Sequence, residues 1–296
     1  MSRTAEQTQV GLEAQRRRVR ALADAADAHR NQADYRRAES QLRLALAVAV
    51  KALGRDDPVV GTLLNNLAVV HKYQGRFAEA GRLYRRALSL MKRQLGPNHP
   101  ALAAVYHNLG GLEHARGRHA RGEPAARRGV AIRQAALGPD HPDVAADLAA
   151  LAALLDGQGK YDEAESLYRR ALAVFERVFG PEHDEVAVNL NNLAALRHAR
   201  GDAAGAERLY RRALAIKEKL LGPCHPDTAL TLNNLAVLRK ARGGRAEAAA
   251  LYRRALAVFE RTLGRRHPRT VACRANYRLL GTPESEPPGS ARRSKS

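Results

Sequence analysis

The sequence predicts an all-α protein that stacks six antiparallel helix pairs into a solenoid. The first observation is a period of 42 residues: the hexapeptide Leu-Tyr-Arg-Arg-Ala-Leu begins at Leu83, Leu167, Leu209 and Leu251, at intervals of 84, 42 and 42 residues. The second is the helical spacing of apolar residues within each period. A fixed period in this range is typical of stacked units that bury their apolar faces only against one another.

Each period predicts two amphipathic helices. In the fifth repeat, Leu190, Leu193 and Ala194 share one helix face. A second helix carries a similar face, made of Ala206, Leu209, Tyr210, Ala213 and Leu214. Gly201 stands between the helices, where a left-handed residue would end the first, and Gly222-Pro223 would end the second. No strand-like alternation is present.

The period also sets the domain organisation. First helices are expected to start near residues 19, 61, 103, 145, 187 and 229. Residues 1–17 form a lead-in, 18–280 the solenoid, and a helix from Arg269 caps the stack, because Arg274 and Arg278 replace apolar residues there. Residues 281–296 are rich in Pro, Ser, Gly and charge, which is typical of a disordered tail.

The third repeat departs from the pattern in its second helix, where Gly122-Glu123-Pro124-Ala125-Ala126 replaces the usual apolar and tyrosine residues. A proline inside a helix removes a hydrogen-bond donor and destabilises it by about 3 kcal/mol. We therefore expect a late start or a kink at Pro124, and a local hinge.

Composition limits the function. Lys and Arg total 50 against 30 Asp and Glu, a formal net charge of +20, so polyanions or acidic partners are attracted. No stretch has the roughly 20 apolar residues of a membrane span, so we expect a cytoplasmic protein without membrane contact. Cys224 and Cys273 have no metal-ligand spacing and are interpreted as free thiols.

Catalytic and metal sites are not predicted. Histidine recurs once per repeat in the loops, but ligands one repeat apart lie too far from each other to share an ion, so a capping or packing role is expected. The histidines concerned are His99, His141, His183, His225 and His267. No phosphate-binding glycine loop, His-Glu-x-x-His motif or nucleophile elbow is present, which indicates a protein that is not an enzyme and needs no cofactor.

The phrase Leu-x-x-Leu-Ala, then Gly, then Ala-x-x-x-Tyr-x-x-Ala-Leu resembles the tetratricopeptide repeat, here in a 42-residue form. The phrases Asn-Asn-Leu-Ala at Asn233 and Gly-Pro-x-His-Pro at Gly222 are similar to the repeats of kinesin light chains. The resemblance covers residues 18–280. It implies a right-handed superhelix whose first helices line a concave groove that binds peptides.

The resemblance also assigns residues to that groove. The second asparagine of Asn-Asn-Leu-Ala forms one row: Asn66, Asn108, Asn192, Asn234 and Asn276, with Ala150 in the fourth repeat. A basic row lies further along the same helices: Lys72, His114, His198 and Lys240, with Asp156 in the fourth repeat. An alternative is that the asparagines bond to neighbouring helices and only hold the superhelix together.

The predicted function is that of an adaptor or scaffold whose groove binds an extended, acidic segment of a partner protein. The alternative is RNA or DNA binding through paired arginines on the second helices. These are Arg85-Arg86, Arg169-Arg170, Arg211-Arg212 and Arg253-Arg254. Self-assembly through the ends of the stack is a third hypothesis, and the sequence leaves the oligomeric state open.

Overall fold

A computed structural model describes the backbone of residues 3–281 and the side chains of residues 9–281. The described range contains thirteen α-helices and no strand, which confirms the predicted fold class. The helices are α1 (Arg3–Asn31), α2 (Tyr35–Leu53), α3 (Pro58–Tyr73), α4 (Phe77–Leu95), α5 (Ala101–Ala115), α6 (His119–Leu137), α7 (Pro142–Asp156), α8 (Tyr161–Phe179), α9 (Asp184–Ala199), α10 (Ala203–Leu221), α11 (Pro226–Ala241), α12 (Arg245–Thr262) and α13 (Pro268–Arg278).

The period is visible in the helix boundaries. From α2 to α12, the second helices begin at intervals of 42 residues. The first helices α3 to α11 begin two or three residues before the predicted positions, because proline or a capping residue already starts the helix there. Helix α1 begins at Arg3 and so runs through the segment interpreted as a lead-in. The predicted tail lies outside the described residues, apart from Gly281.

The chain divides into two compact bodies, Met1–Val174 and Phe175–Ser296, with the boundary inside α8. In the N-terminal body α1 packs on α2, α3 on α4 and α5 on α6, and the first helices α3, α5 and α7 contact one another in order. In the C-terminal body α9 packs on α10 and α11 on α12, and α13 covers α12 and α11.

Glycine ends the helices as the sequence predicts. Gly201 has a φ of +86°, and the amide of Asp202 behind it donates to the carbonyl of Arg197 at 2.9 Å. This pair of features is a Schellman turn, which satisfies carbonyls that the helix itself leaves open. Gly222 has a φ of +82° after α10, so a side chain would be strained at either position.

The repeated histidines cap helices, which confirms the structural role expected for them. In each loop the Nδ1 atom accepts a hydrogen bond from the backbone amide two residues later, at 3.1 to 3.2 Å. The five capping residues are His99, His141, His183, His225 and His267. Each ring therefore satisfies one of the amides that a helix N-terminus leaves unpaired.

Small residues allow the paired helices to approach closely. Ala194, Ala206 and Ala213 are completely buried in the fifth repeat. In the third repeat their places are taken by Gly110, Gly122 and Gly129. A Cβ on Gly122 would lie 2.8 Å from the Leu154 side chain and 3.1 Å from the Gly110 carbonyl oxygen, so glycine is required there.

Helix α6 begins at His119, in register with the other second helices, so the expected late start at Pro124 is wrong. Pro124 lies within the helix, where it lacks the N–H that would bond to the carbonyl of Ala120. Ala126 replaces a buried tyrosine of other repeats, and the Leu154 side chain packs against Gly110 and Gly122 instead. This packing explains how the helix forms despite its proline, while a kink or hinge stays a prediction.

We predict that amides of α6 near Pro124 exchange with solvent faster than the matching amides of α4 and α10. The reason is the missing hydrogen bond together with the lost tyrosine contact. Hydrogen exchange measured by mass spectrometry tests this, with Pro124→Ala as the matched variant that restores the donor. Equal exchange in all three helices would contradict a hinge.

A half-buried glutamate joins successive repeats. Glu123 on α6 accepts hydrogen bonds from Gln158 at 2.8 Å and Lys160 at 2.7 Å, both at the turn after α7, and from Arg127 at 2.8 Å. Glu39 and Glu207 make equivalent bridges two repeats before it and two repeats after it. The bond from Lys160 is the main reason why the pKa of Glu123 falls to about 2, against the opposing effect of burial.

We predict that Glu123→Gln lowers the free energy of unfolding by about 1–3 kcal/mol at pH 7, the range for a charge-assisted hydrogen bond. Because the folded-state pKa lies below the unfolded value, the stabilisation is present above pH 4.5 and is lost as the pH falls towards 2. Urea denaturation between pH 2 and 7 measures the effect. Glu163→Gln, at a more exposed carboxylate that also pairs with Arg127, is the control and should change stability little.

Candidate peptide-binding face

The predicted asparagines form a hydrogen-bonded ladder between neighbouring first helices. In the N-terminal body, Nδ2 of Asn108 on α5 donates to Oδ1 of Asn65 on α3 at 3.0 Å, and Asn65 donates to Asn66 at 3.2 Å. In the C-terminal body, Asn234 donates to Asn191 at 3.3 Å and Asn276 to Asn233 at 3.5 Å. Three of the five predicted residues, Asn108, Asn234 and Asn276, thus bond to the first asparagine of the repeat before them.

The asparagines that are joined across repeats differ in exposure. Asn65 and Asn191 are buried, at 7% and 8% exposure, whereas Asn108 and Asn234 are half-buried. Asn66 and Asn108 also line separate depressions on the face of the first helices. The hydrogen bonds of Asn108 and Asn234 therefore hold neighbouring first helices together, as the alternative hypothesis expects. Their exposed atoms face the surface.

The fourth repeat interrupts the ladder, because alanine stands at positions 149 and 150. Here Asp147, one turn earlier on α7, joins the helices. Its Oδ1 lies 2.7 Å from Nδ1 of His107 on α5, and its Oδ2 accepts from Nε of Arg133 on α6 at 2.6 Å. Sequence analysis missed this cluster, although an aspartate at a core position was a usable signal.

The basic row is less charged than its residues suggest. Nζ of Lys72 lies 5.4 Å from the ring centre of Tyr73 and reaches towards Gly111 on α5. Burial lowers the pKa of Lys72. Burial also lowers the pKa of His114, and the neighbouring charges of His119 and Lys72 lower it further. His114 is therefore neutral at pH 7 and donates hydrogen bonds without attracting anions strongly.

The remaining members of the row fall into two groups. Asp156 on α7 takes the position that His114 holds one repeat earlier. Burial raises the pKa of Asp156, while the nearby His119 lowers it. In the C-terminal body, His198 and Lys240 lie near the ends of α9 and α11, and both are half-buried. The row therefore changes from cation to acid within the N-terminal body.

Most of the paired arginines are engaged within the fold. Arg170 and Arg212 donate to the carbonyls of Pro139 and Pro181 in the preceding loops, at 3.4 and 3.5 Å, and Arg212 pairs with Glu176 at 2.6 Å. Further ion pairs on the second helices are Arg169–Glu165, Arg211–Glu207 and Arg254–Glu218. The contacts of Arg170, Arg212 and Arg254 join repeats, whereas the pairs of Arg169 and Arg211 lie within one helix. All of them reduce the positive charge that a polyanion would meet.

Within residues 9–281, no group of three or more His, Cys, Asp or Glu side chains is placed to hold a metal ion. Among the described helices, none combines the length and apolar character that crossing a membrane requires.

We predict that Asn65→Ala lowers the free energy of unfolding by about 1 kcal/mol, because it removes the acceptor of the ladder bond and leaves the Asn108 amide without it. Thermal or urea denaturation measures this. Asn31→Ala, at the exposed end of α1, is the control and should be close to neutral. Equal stabilities of the two variants would contradict a structural ladder.

A family model described as tetratricopeptide repeat matches the chain in five overlapping stretches, residues 17–92, 59–135, 108–177, 154–219 and 185–261. These stretches cover most of the described helices. No curated protein matches the chain at the sequence level.

Solved structures share the fold. The crystal structure of nearly identical TPR-like repeats from a candidate kinesin light chain of Podosopora anserina is 24% identical, covers 68% of this chain and 95% of its own, and has a TM-score of 0.58. BtubC (BKLC) from P. vanneervenii is 23% identical, covers 96% and 99%, and has a TM-score of 0.54. Aspartyl phosphate phosphatase F from Bacillus subtilis is 14% identical, covers 81% and 59%, and has a TM-score of 0.61. The predicted likeness to kinesin light chain repeats is thus confirmed at the level of the fold.

Proposed function

Because the chain belongs to the tetratricopeptide repeat family, we propose that it is a non-catalytic, cytoplasmic interaction scaffold that binds an extended, acidic segment of a partner protein along its first helices. The main support is the asparagine ladder, which presents half-buried carboxamides on the first helices of each body, Asn66 and Asn108 in one and Asn192 and Asn234 in the other. A carboxamide both donates and accepts hydrogen bonds, so it can bind the backbone of any peptide.

The spacing of the ladder suits an extended segment. First helices that pack side by side lie about 8–10 Å apart, while an extended peptide advances about 3.3 Å per residue. One asparagine would then meet every third residue of the segment. Backbone recognition of this kind gives affinity with little sequence preference, and the neighbouring side chains supply the preference.

The net charge of +20 supports an acidic partner. Near the ladder, Lys72 and Lys240 would attract carboxylates, whereas His114 adds hydrogen-bonding capacity at neutral pH because its pKa is lowered. The ion pairs of the arginines on the second helices favour this proposal over nucleic-acid binding, since Arg170 and Arg212 are used to join repeats.

The ladder offers a matched pair of variants that tests the proposal. Asn108→Ala and Asn65→Ala break the same hydrogen bond and should lose similar stability, but only Asn108 has substantial surface on the proposed site. We expect Asn108→Ala to weaken binding of a peptide selected by display on the full chain about five- to tenfold, and Asn65→Ala to weaken it less than twofold.

Isothermal titration calorimetry with the selected peptide measures both affinities. Equal losses in the two variants would show that the asparagines act only through the fold, and a display selection without enriched acidic sequences would contradict the preference for acid. Heparin added as competitor separates the nucleic-acid alternative: displacement of the peptide by heparin at constant ionic strength would favour a shared polyanion site.

A further inference from the structure

The interruption of the ladder in the fourth repeat creates a polar pocket between α5 and α7. Its wall is formed by His107, Asn108, Arg133, Asp143 and Asp147, and its rim by the small residues Ala104 and Ala146. All of these residues belong to the N-terminal body. The absence of long side chains at the rim leaves the polar groups accessible to a ligand.

The charges of the pocket favour a cation. Two carboxylates, those of Asp143 and Asp147, face the single guanidinium of Arg133. Asp147 is 2% exposed, and both of its carboxylate oxygens are engaged, Oδ1 with His107 and Oδ2 with Arg133. Asp143 lies 3.4 Å from Arg133 and 3.9 Å from Nδ1 of His141, and 57% of its side chain is exposed, so its carboxylate remains accessible.

The hydrogen-bonding groups also favour a donor-rich ligand. The Asp147 carboxylate accepts a hydrogen bond from Nε of Arg133 and lies 2.7 Å from Nδ1 of His107. Asn108 spends a donor on Asn65, which leaves its side-chain oxygen as an acceptor. With the exposed carboxylate of Asp143, the pocket offers two kinds of acceptor.

We propose that this pocket binds a lysine side chain. An ammonium group has three N–H donors and no acceptor, which matches the acceptors of Asp143 and Asn108, and its slender alkyl stem fits between Ala104 and Ala146. As part of a peptide site, the assignment rests on the proposed function: the bound segment would carry a lysine facing the fourth repeat among its acidic residues.

The pocket predicts a preference for the bound segment that the net charge of the protein does not predict. Asp147 stands where other repeats carry neutral residues, such as Val105, Asn189 and Thr231, and together with Asp143 it adds negative charge where the asparagine row is broken. An all-acidic segment would therefore meet repulsion at this repeat, while a segment with one lysine opposite the pocket would not. Discrimination of this kind uses an unfavourable contact against the wrong partner as well as a favourable one with the right partner.

The test uses the full chain labelled with carbon-13 in its histidine rings, with the His107 signal assigned from a His107→Gln variant. The probe is Nα-acetyl-lysine N-methylamide, and Nα-acetyl-glutamate N-methylamide is the opposite-charge control. We expect the lysine probe to shift the His107 signal in a saturable manner, with a dissociation constant of roughly 1–10 mM, as for a ligand with few contacts.

Asp143→Asn should weaken the lysine probe at least tenfold, whereas Asp156→Asn, on the same helix but outside the pocket, should leave it unchanged. Asp143 is exposed, so its substitution should not unfold the chain. Absence of a shift, or an equal shift with the glutamate probe, would overturn the proposal. Neither probe requires a peptide site. A saturable shift with the lysine probe together with a failed display selection would therefore contradict only the proposed function.

Discussion

The structure depends on burying apolar faces that no single helix pair can cover alone. Each pair exposes one face to the next, so the helices must come close enough to exclude water along the entire stack. Alanine and glycine at the crossing points permit this approach, and buried residues such as Tyr168 and Tyr252 fill the space beside them. Because the same contact recurs, a residue that suits one repeat suits the others, which accounts for the regular 42-residue period.

The polar residues of the repeat are largely used to secure that stacking. Asparagines join first helices, Glu123 and Glu207 join a second helix to the following repeat, and Arg170 and Arg212 bond to loop carbonyls behind them. The asparagine row and the paired arginines, which the sequence suggests for peptide or nucleic-acid binding, therefore serve first to hold the helices together. Partner binding can use only the surface that these contacts leave exposed, as at Asn108 and Asn234.

Departures from the repeat supply the local chemistry. In the third repeat the loss of a tyrosine is accommodated by closer helix packing around Gly122, and Leu154 fills the site. In the fourth repeat the loss of both asparagines is accommodated by Asp147, which recruits His107 and Arg133. A uniform solenoid would present the same surface everywhere, so these two repeats give this chain features that its other repeats lack.

The sequence by itself determined the helix pairs, the period, the turns at Gly201 and Gly222 and the loop position of the capping histidines, because these follow from local spacing and backbone preference. It also placed the asparagine row on the first helices. Only the tertiary structure decided that Asn65 and Asn191 are buried, that α6 keeps its start despite Pro124, and that Asp147 meets His107 and Arg133. Those outcomes depend on contacts between residues 14 to 43 positions apart, whose distances and burial a single helix pattern does not contain.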